Sequence, residues 1–265
     1  MNQPVLALSG ISKRFGAVQA LSDVALDVYR GEVVALVGDN GAGKSTLIKV
    51  IAGVGPADTG EIRWEGKPVN IAKPADATHL GIATVYQDLA LADNLDVVGN
   101  LYLGQERTQA GLLDEIRMEK QATELLTSLS VRIPSVRIPV AGLSGGQRQS
   151  VAIARSLLGD PKVVLLDEPT AALGVAQTAE VLDLIDTLKK RGLAVILISH
   201  NLADVKAVAD RVEVLRLGKN AGSFRAGEAS QEEIVQAITG ALDNAVSRRK
   251  ARHTEADGGD ASEPA

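Results

Sequence analysis

The 265-residue chain contains no cysteine, which excludes disulfides, thiolate catalysis and cysteine-ligated metals. That suits a reducing cytoplasm. Aromatic residues make up only 2%, so a core must be assembled from Val, Ile, Leu and Ala. Long apolar runs are missing too. "VVALV" (33–37) and "LAVILI" (193–198) are strand-length, far short of the about 20 residues that a membrane helix needs. The opening "MNQPVLALSG" lacks the basic start and extended apolar stretch of a signal peptide. Nor is there a surplus of positive charge. A formal net charge of -5 argues against a chain whose main task is gripping nucleic acid. What remains is an ordinary globular balance, 45% hydrophobic and 23% charged. The length suits one large domain or a core with a lobe. The expectation is a soluble chain whose membrane business runs through a partner.

Apolar runs and glycine punctuation divide the chain. "VLAL" (5–8) and "VALDV" (24–28) read as short strands flanking a polar turn. "EVVALV" (32–37) predicts a strand buried on both faces, ending in a Gly-rich loop. "KSTLIKVIA" (44–52) has helical spacing, stopped by Gly53 and Gly55. "GEIRWEG" (60–66) predicts an edge hairpin strand, and "GIATVYQ" (81–87) a further buried strand. From about 88 to 160 the texture becomes helical without intervening strands, broken by the tandem "SVRIP" at 130–134 and 135–139. Two prolines so close oppose a regular helix and predict an extended connector. "GGQRQSVAIARSLL" (145–158) follows as an amphipathic helix. Strand and helix then alternate to a last helix at 231–239. This pattern predicts an α/β fold with a parallel-sheet core and an all-helical insertion. The tail from Asp243, carrying "RRKAR" and an acidic end, has little to bury and is expected to be disordered.

Five stretches carry chemistry. Gly38 through Ser45 fits G-x-x-x-x-G-K-[ST] between an apolar strand and a helix, the context that this phosphate-binding motif requires. Gly38, Asp39, Asn40, Gly41, Ala42 and Gly43 would surround a nucleotide's phosphates with backbone N–H groups. Lys44 would reach the terminal phosphates, Ser45 would place its hydroxyl on Mg²⁺, and Thr46 is a further donor. "VVLLDEP" (163–169) ends a buried strand in acids. An unpaired Asp167 there would be costly, so it calls for a cation. Glu168, turned the other way by strand alternation, could orient or deprotonate a water. Gln87 and His200 each follow a core strand at the end where open α/β sheets bind ligands. Gln87 could place its amide near Mg²⁺ and the water, and His200 could hydrogen-bond the γ-phosphate.

The fifth stretch is "LSGGQ" (143–147). Ser144 suits a helix cap. Gly145 and Gly146 would also leave amides bare for a phosphate, making this an anion site whose anion the chain's own cradle does not deliver.

With "GDNGAGKST", "YQD", "LSGGQRQ", "LLDEPTAAL" and "ISH" in this order, the chain resembles an ABC transporter ATP-binding subunit over roughly residues 4–240. The resemblance implies a P-loop NTPase core, an N-terminal antiparallel β subdomain and an inserted helical subdomain, with the domain ending near residue 242. It implies a head-to-tail homodimer, each ATP held between one copy's P-loop and the other's Ser144, Gly145, Gly146 and Gln147. Gln87, Asp167, Glu168 and His200 become the Q-loop glutamine, the Mg²⁺-site acid, the catalytic carboxylate and the switch histidine. Phe15 matches the ring that stacks on adenine. One departure stands out. The family often has Ser-Ala-Leu-Asp after the catalytic acid, whereas "AALG" (171–174) supplies neither hydroxyl nor carboxylate at Ala171 and Gly174. "EPTAALGV" resembles the monosaccharide importers, and one P-loop with one LSGGQ resembles their single-cassette members. The implied partners are a second copy, a membrane permease and, indirectly, an external sugar-binding protein, at the cytoplasmic face of a bacterial plasma membrane. The rival readings are an energising subunit for a non-sugar substrate, which only the "AALG" stretch and the chain length oppose, and a soluble ABC ATPase acting on nucleic acid or ribosomes. The acidic balance, the single cassette and the lack of long heptads oppose the latter, so no nucleic-acid partner is expected.

Overall fold

The computed structural model describes residues 3–109 and 111–241, so the expectation about the basic and acidic tail lies outside the described residues. An antiparallel hairpin opens the fold, β1 (Leu6–Phe15) against β2 (Val18–Val28), much longer than the two short strands expected. β3 (Val33–Val37) runs into α1 (Lys44–Ile51). β4 (Thr59–Trp64) and β5 (Lys67–Val69) form a second hairpin, followed by α2 (Pro74–Leu80) and β6 (Ile82–Val85). The middle holds α3 (Val97–Tyr102), a small hairpin of β7 (Thr108–Gln109) and β8 (Leu112–Leu113), α4 (Glu115–Ser128) and α5 (Gly145–Ser156). β9 (Val163–Asp167), α6 (Val175–Lys190), β10 (Ala194–Ile198) and α7 (Leu202–Val208) restore the alternation. β11 (Arg211–Arg216), β12 (Lys219–Arg225) and α8 (Gln231–Thr239) complete it.

The strands form a four-stranded antiparallel sheet, β2-β1-β4-β5, and a six-stranded sheet, β12-β11-β3-β10-β9-β6. The latter is parallel except for the antiparallel β12 at its edge. Two expectations are corrected here. The stretch around Glu61 is an inner strand, because β5 rather than β4 takes the sheet edge. The middle of the chain is also not purely helical, since the β7–β8 hairpin interrupts it.

Continuous apolar runs become core strands because both faces of the sheet are covered. Along β9, Val163 and Leu165 enter the core shared with α1 and the antiparallel sheet, while Val164 and Leu166 enter the core under α3–α6. β10 divides its residues in the same period of two, Ile196 and Ile198 to one side, Val195 and Leu197 to the other. A third cluster seats α7 and α8 through Val205 and Ile234 on Val212 and Val214 of β11.

The duplicated pentapeptide lies in an irregular stretch between α4 and α5, as an extended connector. Val131 and Ile133 of the first copy and Val136 and Ile138 of the second all pack against the helical core. Register then sets up the site. Leu36 pairs with Ile198, Ile198 with Asp167, and Leu166 with Val85, so β3, β10, β9 and β6 end at one level.

Candidate active site

At that level β3 gives way to the loop 38–43, and two glycines let it pass close to other backbone. A Cβ on Gly38 would collide with the Leu215 carbonyl oxygen. Gly43 has φ 107°, and a Cβ there would lie 2.8 Å from the Ala20 carbonyl oxygen. No side chain caps α1, so its first-turn N–H groups keep no side-chain acceptor. Lys44 folds back over the loop, its Nζ donating to the carbonyls of Gly38 at 2.6 Å and Asp39 at 3.0 Å. Burial pulls the Lys44 pKa below its ordinary value, against the opposing fields of Glu168, Asp39 and Asp167. The loop therefore ends in a half-buried cation among acids. Ser45, exposed, and Thr46, half-buried, stand in the first turn of α1.

The acids come from the end of β9. Burial, reinforced by the neighbouring Glu168 charge, holds the Asp167 carboxyl above its ordinary pKa, while Lys44 and Lys49 partly offset this. A further cation beside Asp167 would relieve that cost, which is the fit a magnesium ion requires. With the Ser45 hydroxyl and the Gln87 amide, the donors are hard oxygens of the kind magnesium takes. Among the described residues no cluster of three or more His, Cys, Asp or Glu could hold a metal, so such an ion would need phosphate oxygens as well.

Glu168 lies one residue past the end of β9 and adopts φ 52°, a left-handed conformation, so strand alternation does not set its direction as expected. Its N–H donates to the Ile198 carbonyl at 3.0 Å, and its Oε2 lies 2.7 Å from His200 Nδ1. A cleft of about 850 Å³ gathers Gly38, Asp39, Asn40, Gln87, Glu168 and His200. The four strand ends thus deliver the loop, the glutamine, the acid and the histidine to one place. Phe15 sits at the tight end of the β1–β2 hairpin, whose Ala20 borders Gly43. The residue is 54% exposed, and Lys13 Nζ lies 5.7 Å from the ring centre.

Ser144 caps α5. The Gln147 N–H donates to Ser144 Oγ at 3.2 Å, and the Ser144 N–H donates back to Gln147 Oε1 at 3.0 Å. Neither glycine of this loop has a positive φ. Their small size serves packing: a Cβ on Gly145 would meet Leu173 Cδ2 at 2.9 Å, and one on Gly146 would meet Gln177 Cβ at 3.0 Å. Packing on α6 thus calls for a small residue at Gly146, whereas Gly145 meets only the side-chain ends of Leu173 and Gln177. None of Ser144–Gln147 lines the cleft that holds Glu168 and His200. Within one copy the two phosphate-type loops stay apart.

Three site features escaped sequence reasoning. The Glu168–His200 contact joins residues that only strand pairing brings together. Arg155, whose guanidinium donates to the carbonyls of Leu89 and Ala90 at 2.8 Å each, ties the segment after Gln87 to the signature helix α5. Tyr86, beside Gln87, has its hydroxyl pKa raised by burial and by the Asp167 charge. It also lines a separate cleft of about 390 Å³ between α2, β6 and α5. A following Gln gave no hint of either.

A family model described as ABC transporter matches residues 21–171, more than half of the chain. The xylose/arabinose import ATP-binding protein XylG of Sulfolobus acidocaldarius is 46% identical over 235 residues, covering 89% of this chain and 94% of its own. The fructose import ATP-binding protein FrcA of Rhizobium meliloti is 44% identical over 247 residues, covering 90% and 95%. Among solved structures, the ADP conformation of MJ1267, an ATP-binding cassette of an ABC transporter, superposes with a TM-score of 0.76 at 28% identity, over 90% of this chain and 96% of that one. A dimeric post-hydrolysis cassette, MJ0796 bound to ADP and Pi, has a TM-score of 0.71 at 26% identity over 84% and 100%. By its strand order, its site and these relatives, the chain belongs to the ABC transporter ATP-binding family.

Proposed function

We propose that this chain is the ATP-hydrolysing subunit that powers import of a monosaccharide through a membrane permease. The observation that carries the substrate class is its likeness along nearly its whole length to single-cassette proteins named for xylose/arabinose and fructose import. Among the described residues no helix is long and apolar enough to cross a membrane. Its likeness to import ATP-binding proteins supports work on a permease at the cytoplasmic face of a plasma membrane, with an external binding protein selecting the sugar.

Residues 38–43 and the α1 amides bind the phosphates, with Lys44 as their mobile counter-charge. Thr46 adds a hydroxyl, and Phe15 offers a ring face for adenine. Asp167, Ser45 and Gln87 hold magnesium, which supplies charge neutralisation at the phosphates. Glu168 orients the attacking water and accepts its proton, and His200 stands at the γ-phosphate side of the same cleft. The signature residues Ser144–Gln147, remote from their own copy's cleft, serve the ATP of a second copy in a head-to-tail dimer. That arrangement explains two phosphate loops in one chain. The solved dimer of the related MJ0796 cassette supports it.

A mixture of Lys44→Ala and Ser144→Arg chains tests the shared site. Each is expected to be inactive alone, and mixing is expected to restore turnover through dimers that keep one intact composite site. No recovery on mixing would overturn the dimer. Reconstitution with the cognate permease and binding proteins loaded with xylose, ribose, galactose or fructose tests the substrate class through sugar-dependent stimulation of ATP turnover.

A further inference from the structure

Behind the Glu168–His200 contact lies a second set of hydrogen bonds, centred on Asp204. Asp204, only 7% exposed, sits in the first turn of α7. Its Oδ2 accepts from the Thr170 hydroxyl at 2.7 Å, and its Oδ1 accepts from Asn201 Nδ2 at 3.0 Å. Thr170 lies two residues past Glu168, and Asn201 directly follows His200. The bonds therefore close a ring, from Glu168 to His200, along the chain to Asn201, across Asp204 to Thr170, and back to Glu168.

The turn in this ring is unusual. Glu168 and Ala172 both take left-handed conformations, φ 52° and φ 60°, that non-glycine residues rarely adopt. Such conformations persist only where the surroundings over-determine them. Two backbone bonds shape the turn from within, Ala171 N–H to the Glu168 carbonyl at 3.1 Å and Leu173 N–H to the Thr170 carbonyl at 3.3 Å. Asp204 is a second side chain, besides Glu168 itself, that ties it to the histidine loop.

Asp204 serves the N-terminus of α7 as an acid in its first turn, bonded to the capping Asn201, but α7 has other anchors. Asn201 caps it, accepting from the Ala203 N–H at 3.0 Å, and Val205 seats it in the core. A buried carboxylate is retained in a protein when both oxygens find donors. Here the two donors come from the two loops that carry the hydrolytic groups.

We propose that Asp204 is a positioning residue for hydrolysis. Through Thr170 and Asn201 it holds the carboxylate of Glu168 and the imidazole of His200 in one fixed relation, so that both meet the terminal phosphate and its water together. The proposal rests on the reading of Glu168 and His200 as the hydrolytic groups.

The test uses the full chain with ATP and magnesium, and compares Thr170→Val, Thr170→Ser, Asp204→Ala, the Thr170→Val/Asp204→Ala double variant and Glu168→Gln. Thr170→Val keeps the side-chain shape and deletes the hydroxyl, so it is expected to lower kcat about tenfold or more. KM for ATP should stay within about twofold, because binding and positioning are separable. Thr170→Ser restores the hydroxyl and most of the turnover. The double variant should lose no more than the worse single one, since the two residues form one interaction. Wild-type kcat in Thr170→Val, equal losses in Thr170→Val and Thr170→Ser, or additive losses in the double variant would each overturn the proposal. Full turnover in Glu168→Gln would overturn the hydrolytic reading and the proposal with it. Loss in Glu168→Gln alone overturns the proposal and spares the reading.

Discussion

His200 Nδ1 lies 2.7 Å from Glu168 Oε2, with the histidine side chain 72% exposed and the glutamate 16%. The imidazole rests on the acid from the solvent side and shares the cleft with the phosphate loop. His200→Ala should therefore lower ATP turnover about 100-fold while leaving ATP binding nearly intact, the pattern of a group used in the transition state. Steady-state kinetics beside equilibrium nucleotide binding reads both. An equal loss of binding would place His200 in ground-state recognition instead.

Asp167 leads to a prediction about stability rather than rate. Its carboxyl pKa is raised above the ordinary 3.8, first by burial and then by Glu168. The native state thus holds that proton more tightly than the unfolded chain. Stability from this group is fully present below pH 3.8 and is lost as pH rises through the elevated native pKa. Asp167→Asn should raise the unfolding midpoint in urea at pH 7 in the absence of nucleotide, and the gain should shrink toward pH 4. The same variant should lose magnesium-dependent turnover. A midpoint at pH 7 at or below that of the unaltered chain would count against the electrostatic account.

How far these groups could be read from sequence follows their separation along the chain. The phosphate loop, the acidic strand end and the signature loop are each contiguous, so spacing and flanking apolar runs expose them. The Glu168–His200 contact spans 32 residues and exists because β9 and β10 pair in the register that sets Asp167 opposite Ile198. No local pattern encodes that register. β4 read as an edge strand because its inner position depends on pairing with β1, about 50 residues earlier in the chain. α2 went unrecognised because its only buried residue is Ala77, which leaves no apolar stripe to find. The β7–β8 hairpin was hidden for the opposite reason: Leu112 and Leu113 are exposed, although they look like core residues.

The signature glycines can be told apart by what their missing side chains would strike. On Gly145 a new methyl meets the flexible tip of Leu173, which can swing aside. On Gly146 it meets Gln177 at Cβ and Cα, at 3.0 and 3.3 Å, which move only with α6. Gly146→Ala should destabilise the fold by about 1–3 kcal/mol through overpacking. Gly145→Ala should cost less than about 1 kcal/mol while still lowering turnover, if its bare amide receives a partner copy's phosphate. Urea unfolding and ATPase assays on both variants decide this, and equal destabilisation would show that both glycines serve packing alone.

The duplicated pentapeptide is used differently in its two copies, through a backbone carbonyl in the first and an arginine side chain in the second. The carbonyl of Arg132, in the first copy, accepts from Gln147 Nε2 of the signature loop at 3.0 Å. Arg137, at the same place in the second copy, pairs with Glu119 at 2.8 Å, Glu115 at 3.2 Å and Asp96 at 3.4 Å. Asp96 caps α3, and both glutamates lie on α4, so one guanidinium joins two helices to the connector that leads into LSGGQ. The cluster is open to solvent, which limits each pair to about 1 kcal/mol or less. Arg137→Ala should therefore lower stability only slightly, and raising salt should erase most of the difference. Arg137→Lys keeps the charge but has one donor centre where three carboxylates need a fork, so it should resemble the alanine variant more than the unaltered chain. Chemical denaturation at low and high salt checks both. A lysine variant as stable as the original would mean that charge alone, rather than the planar fork, secures the connector.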